Sequence, residues 1–379
     1  MKAGISARRV ACLVGLSLSG CGGAPAAGRS GTPEQPTQIE ASSPGLARID
    51  LGSVTAGSTY AFHLDAAVAS VTLVLAGDAD ATYVFDHLMR PDGRELIGGS
   101  CPKGSTSPLA CGVQRASPGR GTAILQLPDS DRVEAQAIAG TWTFQFASAG
   151  AAASAAHAFL YVKRMAASPQ PTLNLNFFFA AGVLGSGVVA SNGLQAPAMQ
   201  AILSRYRDFF EAQAGIQLGL VQLFDLDAQY ADILSAEDYG AMFAAHARNG
   251  GVNVFLVRSL EIETISNQAV PHVAGVSGSI PGLPEPAGQR QGGIVVEVQE
   301  DIRLTGNAVA HEIGHYLNLY HVIEPGSGLQ DPISDTPRCA SADSCGAAAD
   351  LLMFYALSPG QHLLTAGQAA VVRANANVL

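Results

Sequence analysis

The sequence predicts a two-domain chain, an N-terminal all-β sandwich followed by a mixed α/β domain. Three observations support this reading. The 379 residues exceed one average domain of roughly 150. The hydrophobic pattern has period two up to about residue 165, whereas beyond residue 170 strands alternate with segments of helical period. Between them, residues 166–171 carry two prolines and form a natural linker. With 48% hydrophobic and 14% charged residues, the chain has enough apolar surface to fold, which excludes disorder. A net charge of −10 is the wrong sign for holding nucleic acid by phosphate neutralisation.

Taken in order, the chain begins with an address. Lys2, Arg8 and Arg9 precede an apolar run over residues 10–18, too short to span a bilayer, and small residues follow. Residues 1–20 therefore read as a signal peptide. Leu18-Ser19-Gly20-Cys21 resembles the bacterial lipobox, which implies cleavage before Cys21 and acylation of its thiol. With Gly rather than Asp at position 22, that resemblance implies an exported chain anchored in the outer rather than the inner membrane; if the motif is incidental, the chain is secreted. Residues 21–45 are small and polar and read as a lipidated flexible tether. Cys12 leaves with the signal, so four thiols remain in two close pairs. In an oxidising compartment these read as Cys101–Cys111 and Cys339–Cys345 disulfides. Structural zinc on the same thiols lacks a C-x-x-C knuckle.

Residues 46–165 show seven short β-branched and aromatic segments, at 49–54, 60–64, 71–75, 82–88, 122–127, 141–146 and 158–162. Trp142, Phe144 and Phe146 alternate with Thr143 and Gln145, giving one apolar face, and Pro91-Asp92-Gly93 marks a turn. Its Pro-Asp-Gly hairpin and closing Gly-x-Trp-x-Phe strand resemble jelly-roll accessory domains that flank secreted bacterial peptidases. His63, His87 and His157 stand alone and read as surface or core histidines.

In residues 170–379, positions 173–179 alternate as a strand. Met199, Ile202, Leu203, Tyr206, Phe209 and Phe210 recur at helical spacing. Residues 216–226 and 253–260 predict further strands, with a helix capped by Ser235 and Asp238 between them, and 293–298 another strand. The Gly- and Pro-rich stretch 266–291 predicts a long surface loop.

The chemistry lies in His311-Glu312-Ile313-Gly314-His315-Tyr316-Leu317-Asn318-Leu319-Tyr320-His321. On a helix His311 and His315 share a face one turn apart, as two ligands of one metal must, and Glu312 can reach the position left to water. His321, six residues on, would sit about 240° further round, so the helix must end first. With 9 His in the chain, three His and one Glu at these offsets arise by chance on the order of 10⁻⁴ times.

This segment resembles the H-E-x-x-H-x-x-G-x-x-H pattern of metzincin zinc peptidases. Asn318 replaces the pattern's Gly, and Asn is the next most tolerant residue in a left-handed helix-terminating turn. Downstream, Asp331-Pro-Ile-Ser-Asp335-Thr336-Pro337 and Leu352-Met353-Phe354-Tyr355 resemble the D-x-[VI]-x-D-T-P segment and Met-turn of pappalysin-like metzincins. Leu364-Thr365-Ala366-Gly367-Gln368 is similar to the start of that family's last helix. The resemblance implies zinc on His311, His315 and His321, Glu312 as general base, Met353 beneath the histidines, and Tyr355 donating to the tetrahedral intermediate. It implies a zinc endopeptidase acting on polypeptides. Asp331, Asp335 and Asp343 offer the oxygen ligands that calcium takes. Two alternatives stand beside this reading: a catalytically inert, surface-anchored binding protein on a peptidase scaffold, and an inhibitory pro-segment in residues 46–165.

Overall fold

The computed structural model describes residues 10–11, 39–43, 45–98, 114–150, 155–164, 170–261, 273–325 and 327–379. Cys21, Cys101 and Cys111, most of the leader and tether, and most of the linker therefore lie outside the described residues.

The first half is built from β1 (Ile39–Ser43), β2 (Leu46–Thr55), β3 (Tyr60–Leu64), β4 (Ser70–Gly77), β5 (Thr82–Met89), β6 (Glu95–Ile97), β7 (Gly119–Arg120), β8 (Thr122–Leu127), β9 (Gly140–Ala149) and β10 (Ala155–Lys163). They form two antiparallel sheets. One runs β3-β9-β5-β6 with β7 added to β5, and the other runs β1-β2-β10-β4-β8. All seven expected strands are present. Their inward residues meet between the sheets: Phe62, Phe85, Trp142, Phe144 and Phe146 from one, Val71, Leu73, Leu75 and Leu160 from the other. The alternation along β9 decides this, since Trp142, Phe144 and Phe146 are fully buried while Thr143 and Gln145 are not. At the Pro91-Asp92-Gly93 turn Arg90 N–H donates to Arg94 O at 2.8 Å, closing the β5–β6 hairpin. Two backbone pairings fall inside segments expected to be unstructured. Ile39–Ser43, in the expected tether, is an edge strand, and Val10–Ala11, in the expected signal, pairs with Ala356–Leu357. The pairing of Ile39–Ser43 is a backbone interaction and needs no apolar run, so hydrophobicity does not announce it.

The second half places a five-stranded sheet between helices. Its strands are β11 (Thr172–Phe179), β12 (Gln217–Asp225), β13 (Val252–Val257), β14 (Gly275–Ser277) and β15 (Ile294–Glu297). Their order is β12-β11-β13-β15-β14, all parallel except the outermost, β14. On one face Leu175, Phe177, Val254 and Ile294 pack against α1 (Pro197–Tyr206) and α3 (Ile302–Tyr316); on the other, Phe178, Phe255 and Val295 pack against α2 (Ala236–His246). Ser235 caps α2 as expected, its Oγ accepting from Asp238 N–H at 3.2 Å. After α3 the chain is mostly irregular up to β16 (Ala356–Leu357) and α4 (Ala366–Ala374). The whole is sheet-rich with few helices.

The expected surface loop at 266–291 is corrected in part. Residues 273–276 and 280–283 are buried, and β14 lies within the stretch. Gly288, at φ 76° with open space around it, turns the chain, whereas Gly275 and Gly282 serve close approach. A Cβ on Gly275 would lie 2.8 Å from Glu312 Cγ, and one on Gly282 would lie 2.2 Å from the Tyr316 ring.

Candidate metal centre

Asp301 starts α3, its carboxylate accepting from Arg303 N–H at 3.0 Å, and apolar residues Val309, Ile313 and Tyr316 hold the helix against the sheet. His311 and His315 share one face. The helix ends where the third histidine requires it to. Asn318 has φ 83°, the only positive value at a non-glycine among the described residues. Leu319 N–H donates back to Gly314 O and Asn318 N–H to His315 O, both at 2.9 Å, which satisfies the last carbonyls and turns the chain inward. His321 then faces the other two.

The three Nε2 atoms stand 3.1, 3.1 and 3.2 Å apart, and all three side chains are buried. Ligands at about 2.0–2.1 Å on a tetrahedral zinc stand about 3.3 Å apart, so the triangle fits such an ion closely. The proton positions reinforce this. His311 Nδ1–H donates to Leu352 O and His315 Nδ1–H to Leu319 O, both at 2.7 Å. A carbonyl can only accept, so in the neutral rings Nε2 is bare and its lone pair points into the triangle. Burial, followed by the other imidazoles, holds His315 well below its usual range and His311 down to about 3. His321 Nδ1 meets Glu324 Oε2 at 2.9 Å. Burial opposes charge on His321, but the Glu324 and Glu312 carboxylates outweigh it and push its pKa up. Bare lone pairs about 3 Å apart repel unless a cation lies between them. Among the described residues this trio is the one group of His, Cys, Asp or Glu whose ligand atoms converge as a metal site requires.

Glu312 is buried against Gly275 of the sheet's outermost strand. Met353 lies beneath the helix: a Cβ on Gly314 would stand 2.5 Å from its Sδ, and its backbone oxygen accepts from Val322 N–H at 3.0 Å. Gly at 314 is thus what lets the methionine reach the helix between the first two histidines. Tyr355 is half-buried, its ring centroid 4.6 Å from that of Phe354.

The expected calcium ligands are not brought together. Asp331 is fully buried and accepts from Thr336 Oγ1 at 2.6 Å and Ile333 N–H at 3.2 Å, and burial raises its pKa to about 7. Asp335 accepts from Thr365 Oγ1 at 2.7 Å and Gly367 N–H at 2.9 Å at the start of α4, and Asp343 is exposed. Asp331 Oδ1 and both Asp335 oxygens are answered by protein donors, which is the work of a loop staple and a helix cap. The Cys339–Cys345 disulfide is present, with Cα atoms 5.3 Å apart. Sequence reasoning passed over Glu324, although a carboxylate three residues after a ligand histidine is a readable signal.

No protein-family model matches the chain, and no curated protein does. Among solved structures, a periplasmic inhibitor of g-type lysozyme from Aeromonas hydrophila is 17% identical with a TM-score of 0.18, covering 35% of this chain and 95% of its own. A Bacillus subtilis protein is 10% identical at 0.16, covering 59% of this chain and 53% of its own. The catalytic unit of an α-1,3-glucanase from Streptomyces thermodiastaticus is 15% identical at 0.17, covering 57% and 34%. At these scores none bears on fold or activity. No helix among the described residues is long and apolar enough to cross a membrane.

Proposed function

We propose that the chain is a zinc-dependent endopeptidase of the pappalysin-like metzincin type, with the first half as a jelly-roll-like accessory domain and the second as the catalytic one. The observation that carries this reading is the convergence of the His311, His315 and His321 Nε2 atoms beside the buried carboxylate of Glu312. Zinc held there supplies Lewis acidity and lowers the pKa of a water at the open position to about 7. Glu312 accepts a proton as that water attacks the scissile carbonyl, holds it out of bulk solvent, and passes it to the departing amine nitrogen. Tyr355 donates a hydrogen bond to the oxygen on which charge develops. An extended peptide has an edge to pair with in β14, the antiparallel outermost strand, whose Gly275 touches Glu312. The intact Glu312 favours this reading over an inert binding scaffold. Glu312→Gln is expected to keep zinc bound while cleavage of casein falls at least 10³-fold; a variant that cleaves at the wild-type rate refutes the assignment.

The same proposal has the chain exported and lipid-anchored through Cys21. Labelled palmitate incorporated by the wild type and absent from Cys21→Ala is the expected result; equal labelling refutes it.

A further inference from the structure

Residues 352–361 carry Met353 and Tyr355, and their path is set by side chains that grip main-chain oxygens. His311 Nδ1–H donates to Leu352 O at 2.7 Å, and Asn307 Nδ2 donates to Ser358 O at 2.8 Å. Asn307 and His311 stand one turn apart on α3, so a single face of the helix clasps both ends of the stretch 352–358. Tyr355 lies at its centre. Between the two grips Gln361 Nε2 donates to Ala356 O at 3.1 Å and to Phe354 O at 3.5 Å, while Gln361 Oε1 accepts from Ser358 N–H at 3.3 Å.

Asn307 is itself oriented from α1. Arg205 Nε donates to Asn307 Oδ1 at 2.6 Å and Arg205 Nη2 to Gln361 O at 2.7 Å, so one guanidinium holds the amide and the far end of the segment together. A guanidinium can only donate and a carbonyl only accept, which leaves the Asn307 amide a single orientation. Asn307 and Gln361 are fully buried. Gly306 makes the approach possible, since a Cβ there would stand 2.6 Å from Arg205 Cγ and 3.4 Å from Ile202 Cα. Buried amides that answer one another fix a unique arrangement, and what they fix here is the backbone on either side of Tyr355.

We propose that Asn307, oriented by Arg205, is a positioning residue for Tyr355: it holds the backbone from which the tyrosine is presented to the reacting carbonyl. This rests on the endopeptidase reading, in which Tyr355 donates to the oxygen where charge develops. Such a donor is effective only if it is held in place beforehand, and a displacement of about 1 Å costs on the order of 100-fold in rate. The outer nitrogens of the three histidines are tied to Leu352 O, Leu319 O and Glu324, not to Asn307. Loss of the Asn307 grip is therefore felt in turnover and not in metal affinity.

The test uses the full chain and a synthetic peptide spanning a casein bond that the wild type cleaves. Asn307→Asp keeps the acceptor for Arg205 and sets an oxygen against Ser358 O. Its kcat is expected to fall roughly 10- to 100-fold, with KM within about threefold of wild type. Zinc affinity, by competition with a chromophoric chelator, is expected to stay within about threefold as well. In a Tyr355→Phe background the same substitution is expected to change kcat by less than about twofold, because residues acting as a unit are non-additive. Hydrogen exchange of the metal-free protein over residues 352–361 is expected to quicken roughly tenfold, with the sandwich unchanged. An equal loss of kcat in both backgrounds overturns the proposal, as does wild-type turnover, or zinc affinity that falls in step with turnover. Wild-type turnover in Tyr355→Phe overturns it too, by removing the residue to be positioned. Should Asn307→Asp fail to fold, Arg205→Lys, at a partly exposed side chain, gives up the two-pronged grip and is held to the same outcomes. A wild-type chain that cleaves no peptide overturns the endopeptidase reading; the exchange measurement then decides the clasp by itself, and unchanged exchange in Asn307→Asp overturns it.

Discussion

The three described histidines of the sandwich and the three that converge in the second half are used in opposite ways. In the sandwich, His63, His87 and His157 lie on separate strands, and each meets its own carboxylate, Asp65 at 3.7 Å, Glu95 at 2.7 Å and Asp50 at 2.6 Å. All three are in contact with solvent, and none faces another histidine. In the second half His311, His315 and His321 are buried, face one another through Nε2, and have their outer nitrogens tied to a carbonyl, a carbonyl and a carboxylate. The difference teaches where burial cost is worth bearing. A histidine at the surface can charge and discharge with little consequence. Three buried imidazoles aimed at a common point are a poor arrangement for any purpose except holding a cation.

The sharpest way to break this contrast is to truncate both sets. Alanine at His311, His315 or His321 is expected to lower zinc affinity by at least 10³-fold and bring peptide cleavage to background, since two remaining ligands leave the ion to solvent. Glutamine at His63, His87 or His157 is expected to leave affinity and cleavage within twofold, as read by the same chelator competition and casein assay. Equal losses in both sets would erase the distinction.

The next largest effect concerns stability. On the proposed zinc reading the ion would bind the folded site and find no preformed site in the unfolded chain, so saturation at 100 to 1,000 times Kd would add about 3–4 kcal/mol. Chelation is therefore expected to lower the melting temperature of the wild type and to leave His311→Ala unchanged, as measured by calorimetry.

A pair of glycines refines the comparison. Gly275→Ala places a methyl 2.8 Å from Glu312 Cγ and is expected to reduce the turnover number by as much as about 100-fold through displacement of that carboxylate. Gly52 in the sandwich has φ 80° and open space around it. Gly52→Ala is expected to cost about 1 kcal/mol in urea unfolding and to leave turnover intact. The smallest effect is that of Asn318→Gly. Relief of a side chain at φ 83° and loss of the long contact to Pro128 O oppose each other, so unfolding free energy is expected to stay within about 1 kcal/mol.

Much of this was readable from residues alone, for reasons that differ by element. Strand β9 shows as period-two alternation because only one of its faces is buried, β13 and β15 as continuous apolar runs because both faces are, and the two helix histidines show because a fixed spacing on a helix is a fixed geometry. Asn318 was legible as a helix terminator because so few residues tolerate its conformation. The stretch at 266–291 was misread because Gly signals both turning and close approach, and only the partner atoms, Glu312 and the Tyr316 ring, tell them apart. The aspartates after the metal loop resemble calcium ligands in spacing, but they do not converge, and Thr336, Thr365 and Gly367 donate to Asp331 and Asp335 separately. Asp131 was invisible in principle: it holds Ser334, 203 positions away, and nothing local in the sequence marks a contact of that range.

The outer nitrogens of His311 and His315 are tied to main-chain oxygens of Leu352 and Leu319. The orientation of both rings is therefore written into the backbone rather than into other side chains. A substitution at position 319 or 352 that keeps the main chain in place would leave the two rings aimed as they are, so those positions are free to vary in side chain while the direction of the histidines is not.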